Sequence, residues 1–120
     1  MDDVRALPAG ALPVGDASTT AEPVRFGLMH TDSNQHVNSL VYPRRFEERA
    51  LSHLAQLGVD ASALLARRVE AAFRKPCFAG DLAWITLRAW TLDGALWVSG
   101  TFHPEDPTAP PFNALRVRFG

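Results

Sequence analysis

The chain is organised around MHTDSNQHVNSLVYPRRFEE, residues 29–48. This stretch sets an acid, an amide and an imidazole at alternate positions, Asp32, Asn34 and His36, and adds a second amide and a tyrosine after them. No other segment of the sequence concentrates so many reactive or hydrogen-bonding side chains. Because the stretch continues directly into a helical pattern, the sequence predicts a strand-to-helix junction that carries polar side chains.

The helical pattern is an apolar stripe at intervals of three and four residues, made by Phe46, Ala50, Leu54 and Leu57. Pro43 is compatible with a helix only in the first turn, where its missing N–H has no partner to lose. We therefore expect the helix to begin near residues 38–42, with Asn38 or Ser39 as its N-cap. Gly58 is expected to end it.

Five segments have strand patterns: residues 24–29, 69–75, 82–92, 95–103 and 112–119. The third alternates, with its apolar face made by Ala83, Ile85, Leu87 and Ala89. Asp93-Gly94 is typical of a two-residue hairpin turn, because both positions tolerate positive φ. One strand, one helix and four further strands predict an α+β fold, in which a five-stranded antiparallel sheet wraps around one long helix.

The 120 residues fit one domain, which we expect to span residues 24–120. Residues 1–23 are interrupted by Pro and Gly, and we expect a flexible N-terminal arm without regular structure. One helix covers one face of the sheet, so the other face, with Trp84, Trp90 and Trp97, would be partly exposed in a monomer. Such a patch predicts association, as a homodimer or a homotetramer.

Composition and charge exclude several functional classes. Twelve basic and thirteen acidic residues nearly cancel, whereas nucleic-acid and membrane-surface proteins carry a basic excess. No apolar run approaches the roughly 18 residues of a membrane span, and no signal-peptide pattern is present. The single cysteine, Cys77, cannot form an internal disulfide, so we expect a cytoplasmic protein with a buried thiol.

The opening stretch resembles the signature of the hotdog-fold thioesterases, D-x-N-x-H-V-N-N followed by Tyr and an F-E-E run. The matching residues are Asp32, Asn34, His36, Val37, Asn38, Tyr42, Phe46, Glu47 and Glu48. KPCFAGD, residues 75–81, is similar to the family's Pro-x-x-x-Gly-Asp connection between strands. The resemblance implies a hotdog fold and hydrolysis of an acyl thioester of coenzyme A or a carrier protein, without cofactor or metal. Departures from the signature are Ser39, Pro43 and Arg45.

The resemblance also implies residue roles. In acyl-ACP thioesterases the acid, amide and imidazole of this motif are the proposed catalytic set, here Asp32, Asn34 and His36. In the 4-hydroxybenzoyl-CoA thioesterase branch the carboxylate at this place, again Asp32, is the key group. A carboxylate can attack the thioester or deprotonate water, an amide can orient water or the acyl carbonyl, and an imidazole can carry a proton to the thiolate.

The residues expected to bind substrate are Val37, Asn38, Ser39, Tyr42, Arg74 and Lys75. The first three would present helix-start N–H groups to the oxyanion. The tyrosine would line the pocket wall, and the two basic residues would meet phosphates of coenzyme A or of a phosphopantetheine arm, or be ordinary strand-end charges.

Other interpretations of these residues stay open. Asp32-Ser33-Asn34 is also an ordinary loop sequence, His36 alone is often structural, and Asn38 is a better helix cap than catalyst. Glu47, on the helix, is a weaker catalytic candidate. A metal site is disfavoured because the spacing of the local histidines and acid matches no recognised ligand set.

Two alternative functions compete with hydrolysis. A hotdog hydratase or dehydratase usually has D-x-N-P-x-H, and the interval here is one residue shorter and lacks the proline. A non-catalytic acyl-binding domain would not need the acid, amide and imidazole together.

Overall fold

A six-stranded antiparallel sheet packs against one long helix in the computed structural model, which describes residues 6–27, 30–31 and 36–120. The helix, α1, spans Val41–Gln56, and a 3-10 turn follows at Ala61–Ala63. The strands are β1 Leu12–Thr19, β2 Val24–Arg25, β3 Ala66–Phe73, β4 Leu82–Leu92, β5 Ala95–His103 and β6 Asn113–Phe119. The sheet order is β1-β4-β5-β6-β3, and β2 also pairs with β4. This is the predicted hotdog architecture, but the predicted number of five strands is wrong, because residues 12–19 add a sixth.

The β4–β5 hairpin has the predicted bounds, and its turn has the predicted geometry. Asp93 and Gly94 both have positive φ, 51° and 80°. The other predicted strands differ at their ends. β3 stops at Phe73 because the N–H groups of Arg74 and Lys75 both turn to the carbonyl of Phe112, each at 3.0 Å, instead of continuing the ladder.

Residues 12–19 form a strand, so the predicted flexible arm over residues 1–23 is wrong for this part of the chain. β1 pairs antiparallel with β4, and its register shifts between Val14 and Ser18. Pro13 and Gly15 are tolerated because β1 is an edge strand with a bulge, where a missing N–H and a positive φ of 69° cost little.

The core lies between α1 and one face of the sheet. The buried residues of α1 are Tyr42, Phe46, Ala50, His53 and Leu54. They face the predicted apolar side of β4, which is fully buried, together with Val98, Phe102, Leu115 and Val117 of β5 and β6. Phe46 lies over Gly100 of β5, where any larger side chain would meet its ring. The helix therefore packs against the sheet at Gly100, in the central strand β5.

The opposite face of the sheet is more covered than its sequence suggests. Trp90 is only 1% exposed, because its ring stacks on Trp97 with centroids 5.3 Å apart and its indole N–H donates to Ser99 Oγ at 3.0 Å. The predicted exposure of Trp90 is therefore wrong, whereas Trp84 and Trp97 are half-buried.

The two ends of α1 differ from each other in how well the sequence predicts them. The N-cap is Leu40, and it makes no side-chain capping bond, so the prediction of Asn38 or Ser39 as cap is wrong. Instead Asn38 closes a turn just before the helix: its Oδ1 accepts from the Leu40 N–H at 2.9 Å. Gly58, with φ of 86°, follows the helix end as predicted. Within the described residues, no helix is long and apolar enough to span a membrane.

We expect Gly100→Ala to lower the free energy of unfolding by about 1–3 kcal/mol, because the added Cβ would overlap the Thr86 carbonyl and press on the Phe46 ring. Urea unfolding followed by tryptophan fluorescence measures this change. Gly27→Ala is the matched control, since a Cβ there meets no atom of the described residues within 4 Å, and its effect should stay within about 0.5 kcal/mol. Equal stability of the two variants would contradict the proposed contact.

Candidate active site

A cavity of about 430 Å³ opens between the segment that precedes α1 and the end of β3. Its lining residues are His36, Val37, Asn38, Ser39, Tyr42, Phe73, Arg74, Lys75 and Pro76. The structure thus brings together one predicted catalytic residue and all six predicted substrate-binding residues. Phe73 and Pro76 are the lining residues that the sequence analysis missed. Asp32 and Asn34 lie outside the described residues.

The segment before α1 is held in place by its own backbone. The Val37 N–H donates to the carbonyl of Cys77 at 2.8 Å, and the Asn38 N–H donates to the carbonyl of His30 at 2.7 Å. Val37 also forms a bridge with Thr31. Two of the three predicted oxyanion donors are therefore already bonded, and that role is wrong for Val37 and Asn38. Of the three, Ser39 has the N–H without a partner among the residues that the structure describes.

The Gly-Asp connection, residues 75–81, lies against the segment that precedes α1. The Phe78 N–H donates to Asp81 Oδ2 at 2.8 Å, and Gly80 has a positive φ of 92°, which explains why Gly and Asp occur together here. Phe78 also forms a bridge with His36, and their rings meet edge-on with centroids 4.8 Å apart. His36 is therefore exposed at the cavity but fixed on one side by an aromatic ring.

Tyr42 links the cavity to the core. Its hydroxyl accepts from the Cys77 N–H at 3.0 Å. Its ring contacts Phe26, Phe73 and Phe102, with centroid distances of 5.6, 5.8 and 5.4 Å. Burial raises the pKa of the Tyr42 hydroxyl, so at neutral pH it stays protonated. The tyrosine is a structural support of the wall, as its place at the start of an apolar stripe suggests.

Cys77 is fully buried, which confirms the expectation of a buried thiol. Burial raises the pKa of this thiol to about 11, so the thiolate is scarce at neutral pH. The residue therefore serves this region through its backbone, which accepts from Val37 and donates to Tyr42.

The basic rim of the cavity consists of Arg74 and Lys75, both exposed. Their N–H groups are fixed on Phe112, and one guanidinium nitrogen of Arg74 lies 3.4 Å from the Pro111 carbonyl. The backbone from which both side chains extend is thus fixed just after the end of β3. Glu47, the weaker catalytic candidate, is half-buried on α1 and does not line this cavity.

His30 stabilises the segment before α1 through contacts that the sequence pattern does not predict. Besides accepting from Asn38 through its carbonyl, it places its Nε2 atom 3.2 Å from an Nη atom of Arg45. This contact ties the first turns of α1 to the chain just before the acid–amide–imidazole set. Arg45 departs from the family signature, and its pairing with His30 gives that departure a structural role.

No family model matches the chain, and no curated protein matches it. Solved structures do share its fold. A probable thioesterase from Bartonella henselae has a TM-score of 0.73 at 18% identity, over 88% of this chain and 90% of that chain. A 1,4-dihydroxy-2-naphthoyl-CoA thioesterase from Synechocystis has 0.72 at 15%, over 87% and 80%. A thioesterase from Thermus thermophilus, complexed with coenzyme A and Zn, has 0.70 at 15%, over 84% and 75%. At these identities the likeness establishes the hotdog fold.

We expect Tyr42→Phe to lower the free energy of unfolding by about 1–3 kcal/mol, because the buried Cys77 N–H would lose its acceptor. Urea unfolding checks the value. Ser62→Ala is the control: it removes a hydroxyl bonded to the exposed Asp60, and its effect should be within about 0.5 kcal/mol. A Tyr42→Phe protein as stable as the parent would show that this hydrogen bond does not hold the wall.

Proposed function

We propose that the protein hydrolyses an acyl thioester to a free acid and a thiol. The observation that carries the proposal is the cavity at the start of α1, which gathers an exposed imidazole, a helix-end N–H and a basic rim. Such a set matches what thioester hydrolysis needs: proton transfer, oxyanion stabilisation and recognition of a phosphate-bearing carrier. The hotdog fold, shared with solved thioesterases, supports the same reaction.

Asp32 is the proposed nucleophile or general base. As nucleophile, it would attack the carbonyl carbon, release the thiolate and form an acyl anhydride that water then cleaves; as base, it would take a proton from the attacking water. Asn34 would orient the water or the acyl carbonyl. His36 faces the cavity and would deliver the proton to the departing thiolate.

The Ser39 N–H is the proposed oxyanion donor. It lies just before α1, where the helix dipole adds positive potential, and the N–H groups of the two preceding residues, Val37 and Asn38, already have backbone partners. A single preorganised donor of this kind is worth roughly 3–4 kcal/mol of transition-state stabilisation. The remaining predicted binding residues would then contribute through side chains and carbonyls.

Arg74 and Lys75 are proposed to bind the phosphates of the carrier. Arginine and lysine side chains both bind phosphate, and both residues line the cavity from a backbone segment fixed on Phe112. The Thermus thioesterase was solved with coenzyme A, which favours an acyl-CoA over an acyl carrier protein. Because Cys77 is a free buried thiol, we place the protein in the reducing cytoplasm.

We further propose that the protein is a homodimer formed through β3. Among the described strands, β3 pairs with β6 alone, so its other edge is open. Val69 and Phe73 on this strand are 45% and 54% exposed, and Phe73 lines the cavity. An exposed apolar strand edge is a template for pairing with a second chain. A second copy there would close the cavity at one side.

Asp32→Asn is expected to lower kcat/KM for thioester hydrolysis by about 10²–10⁴-fold if Asp32 is a general base, and by more if it is the nucleophile. Release of free thiol from a panel of acyl-CoA and acyl carrier protein thioesters measures the rate. Asp16→Asn, the same change at an exposed residue of β1, is the control and should leave the rate unchanged. If the parent protein and Asp32→Asn release thiol equally slowly, hydrolysis is refuted; equally fast release would refute the role of Asp32. Loss of enoyl-thioester absorbance instead would indicate a hydratase.

Val69→Lys is expected to shift the protein from dimer to monomer, because it buries an unpaired charge at the proposed β3 edge. Size-exclusion chromatography with light scattering at micromolar concentration measures the mass. Leu12→Lys changes an exposed apolar residue on β1, at the opposite sheet edge, and should leave the mass unchanged. A monomeric parent protein, or a dimer that survives Val69→Lys, would rule out this interface.

A further inference from the structure

The amide of Asn113 is buried and has no hydrogen-bond partner within residues 6–27, 30–31 and 36–120. The residue is 1% exposed, and neither its Oδ1 nor its Nδ2 atom has a partner among the residues that the structure describes. Buried side-chain amides are almost always bonded, because removing them from water without compensation is unfavourable. A buried polar group with two unused atoms therefore needs a physical explanation.

Asn113 lies on the sheet face that packs against α1. It is the first residue of β6, and residues 115, 117 and 119, which alternate with it on the same face, are buried apolar side chains. A leucine would fill this position with a similar volume and leave no atom unbonded. Packing alone thus gives no reason for an amide here.

The position of Asn113 connects it to the candidate active site. Its direct cross-strand partners are Phe73 on β3 and Phe102 on β5, and paired residues place their side chains on the same face. The Tyr42 ring contacts both of these phenylalanines. Since Tyr42 and Phe73 line the cavity, the amide is one side chain behind the cavity wall.

Between Asn113 and the cavity lie the rings of Tyr42 and Phe73, and the Phe73 ring is the more exposed of the two. The rings of Tyr42 and Phe73 have centroids 5.8 Å apart, which leaves no room for an acyl chain between them. Tyr42 is fixed by its bond to Cys77, whereas Phe73 is 54% exposed in the single chain and makes no comparable buried hydrogen bond. Because Phe73 is the cross-strand partner of Asn113, rotation of its ring away from Tyr42 would expose the amide to the cavity.

We propose that Asn113 is a specificity-determining residue that hydrogen-bonds an oxygen-bearing group on the acyl chain, away from the thioester. This inference rests on the proposed thioesterase function, which places the phosphates at the basic rim and the thioester near Ser39. The acyl group then points inward, past Tyr42 and Phe73. An acyl group that ends in a hydroxyl or carbonyl would bond the amide, whereas a purely apolar one would leave it unsatisfied.

The test measures binding and not turnover. Its probes are pantetheine thioethers in which a ketone replaces the thioester, because they cannot be hydrolysed and carry the arm shared by coenzyme A and carrier proteins. One pair ends in 4-hydroxyphenyl or 4-methylphenyl, and a straight-chain pair ends in hydroxyl or methyl. Calorimetry with the full chain gives Kd for each probe, so a failure of hydrolysis leaves this test intact.

We expect the parent protein to bind the hydroxyl member of at least one pair about tenfold or more tightly than the methyl member. Asn113→Leu should abolish or reverse this ratio while it raises the Tm of the free protein, because it removes an unsatisfied amide. Arg118→Gln is the control: it lies on the same strand, exposed on the opposite face, and should keep the parent's ratio.

Equal affinity of the parent protein for both members of both pairs would overturn the proposal, and so would the absence of binding by any probe at millimolar concentration. This comparison needs no variant, so it stands even if Asn113→Leu fails to fold. A folded Asn113→Leu protein that retains the parent's preference would equally refute the role of the amide.

Discussion

Phe46 of α1 packs against Gly100 of β5, and the position of the helix follows from this contact. Because a Cβ at position 100 would meet both the ring and the Thr86 carbonyl, the glycine lets the helix approach the sheet closely. Tyr42 lies four residues before Phe46 on the same helix face, so the same approach brings its ring among the core aromatics. The distance between the helix and the sheet thus determines where Tyr42 lies in the wall of the cavity.

Tyr42 then transmits this position to the rest of the site. Through its hydroxyl it fixes Cys77, whose carbonyl in turn accepts from Val37, so the chain on both sides of the cavity is joined by two hydrogen bonds. Burial keeps both the hydroxyl and the thiol protonated, which suits a structural connection. The core and the site are therefore one packed unit.

The polar groups near the cavity are of two kinds: those that are hydrogen-bonded within the protein and those that are free to bond a ligand. The N–H groups of Val37 and Asn38 are bonded to backbone carbonyls and hold the junction in shape. The Ser39 N–H and the Asn113 amide have no such partner among the described residues, at the entrance of the cavity and behind its wall. Unused donors at two depths are what a ligand with two polar groups would satisfy.

Local pattern was sufficient to predict α1, the β4–β5 hairpin and the gathering of residues 36–42 at a helix start, because periodicity and turn chemistry act over a few residues. Long-range contacts decided the rest. Pro13 is acceptable in β1 because that strand lies at a sheet edge, and Trp90 is buried because Trp97 stacks on it and Pro13 lies opposite it on β1. Likewise, the sequence pattern does not predict that the Val37 N–H donates to Cys77, or that the Asn113 amide has no partner among the described residues. Both depend on which distant groups the folded chain brings within hydrogen-bond distance.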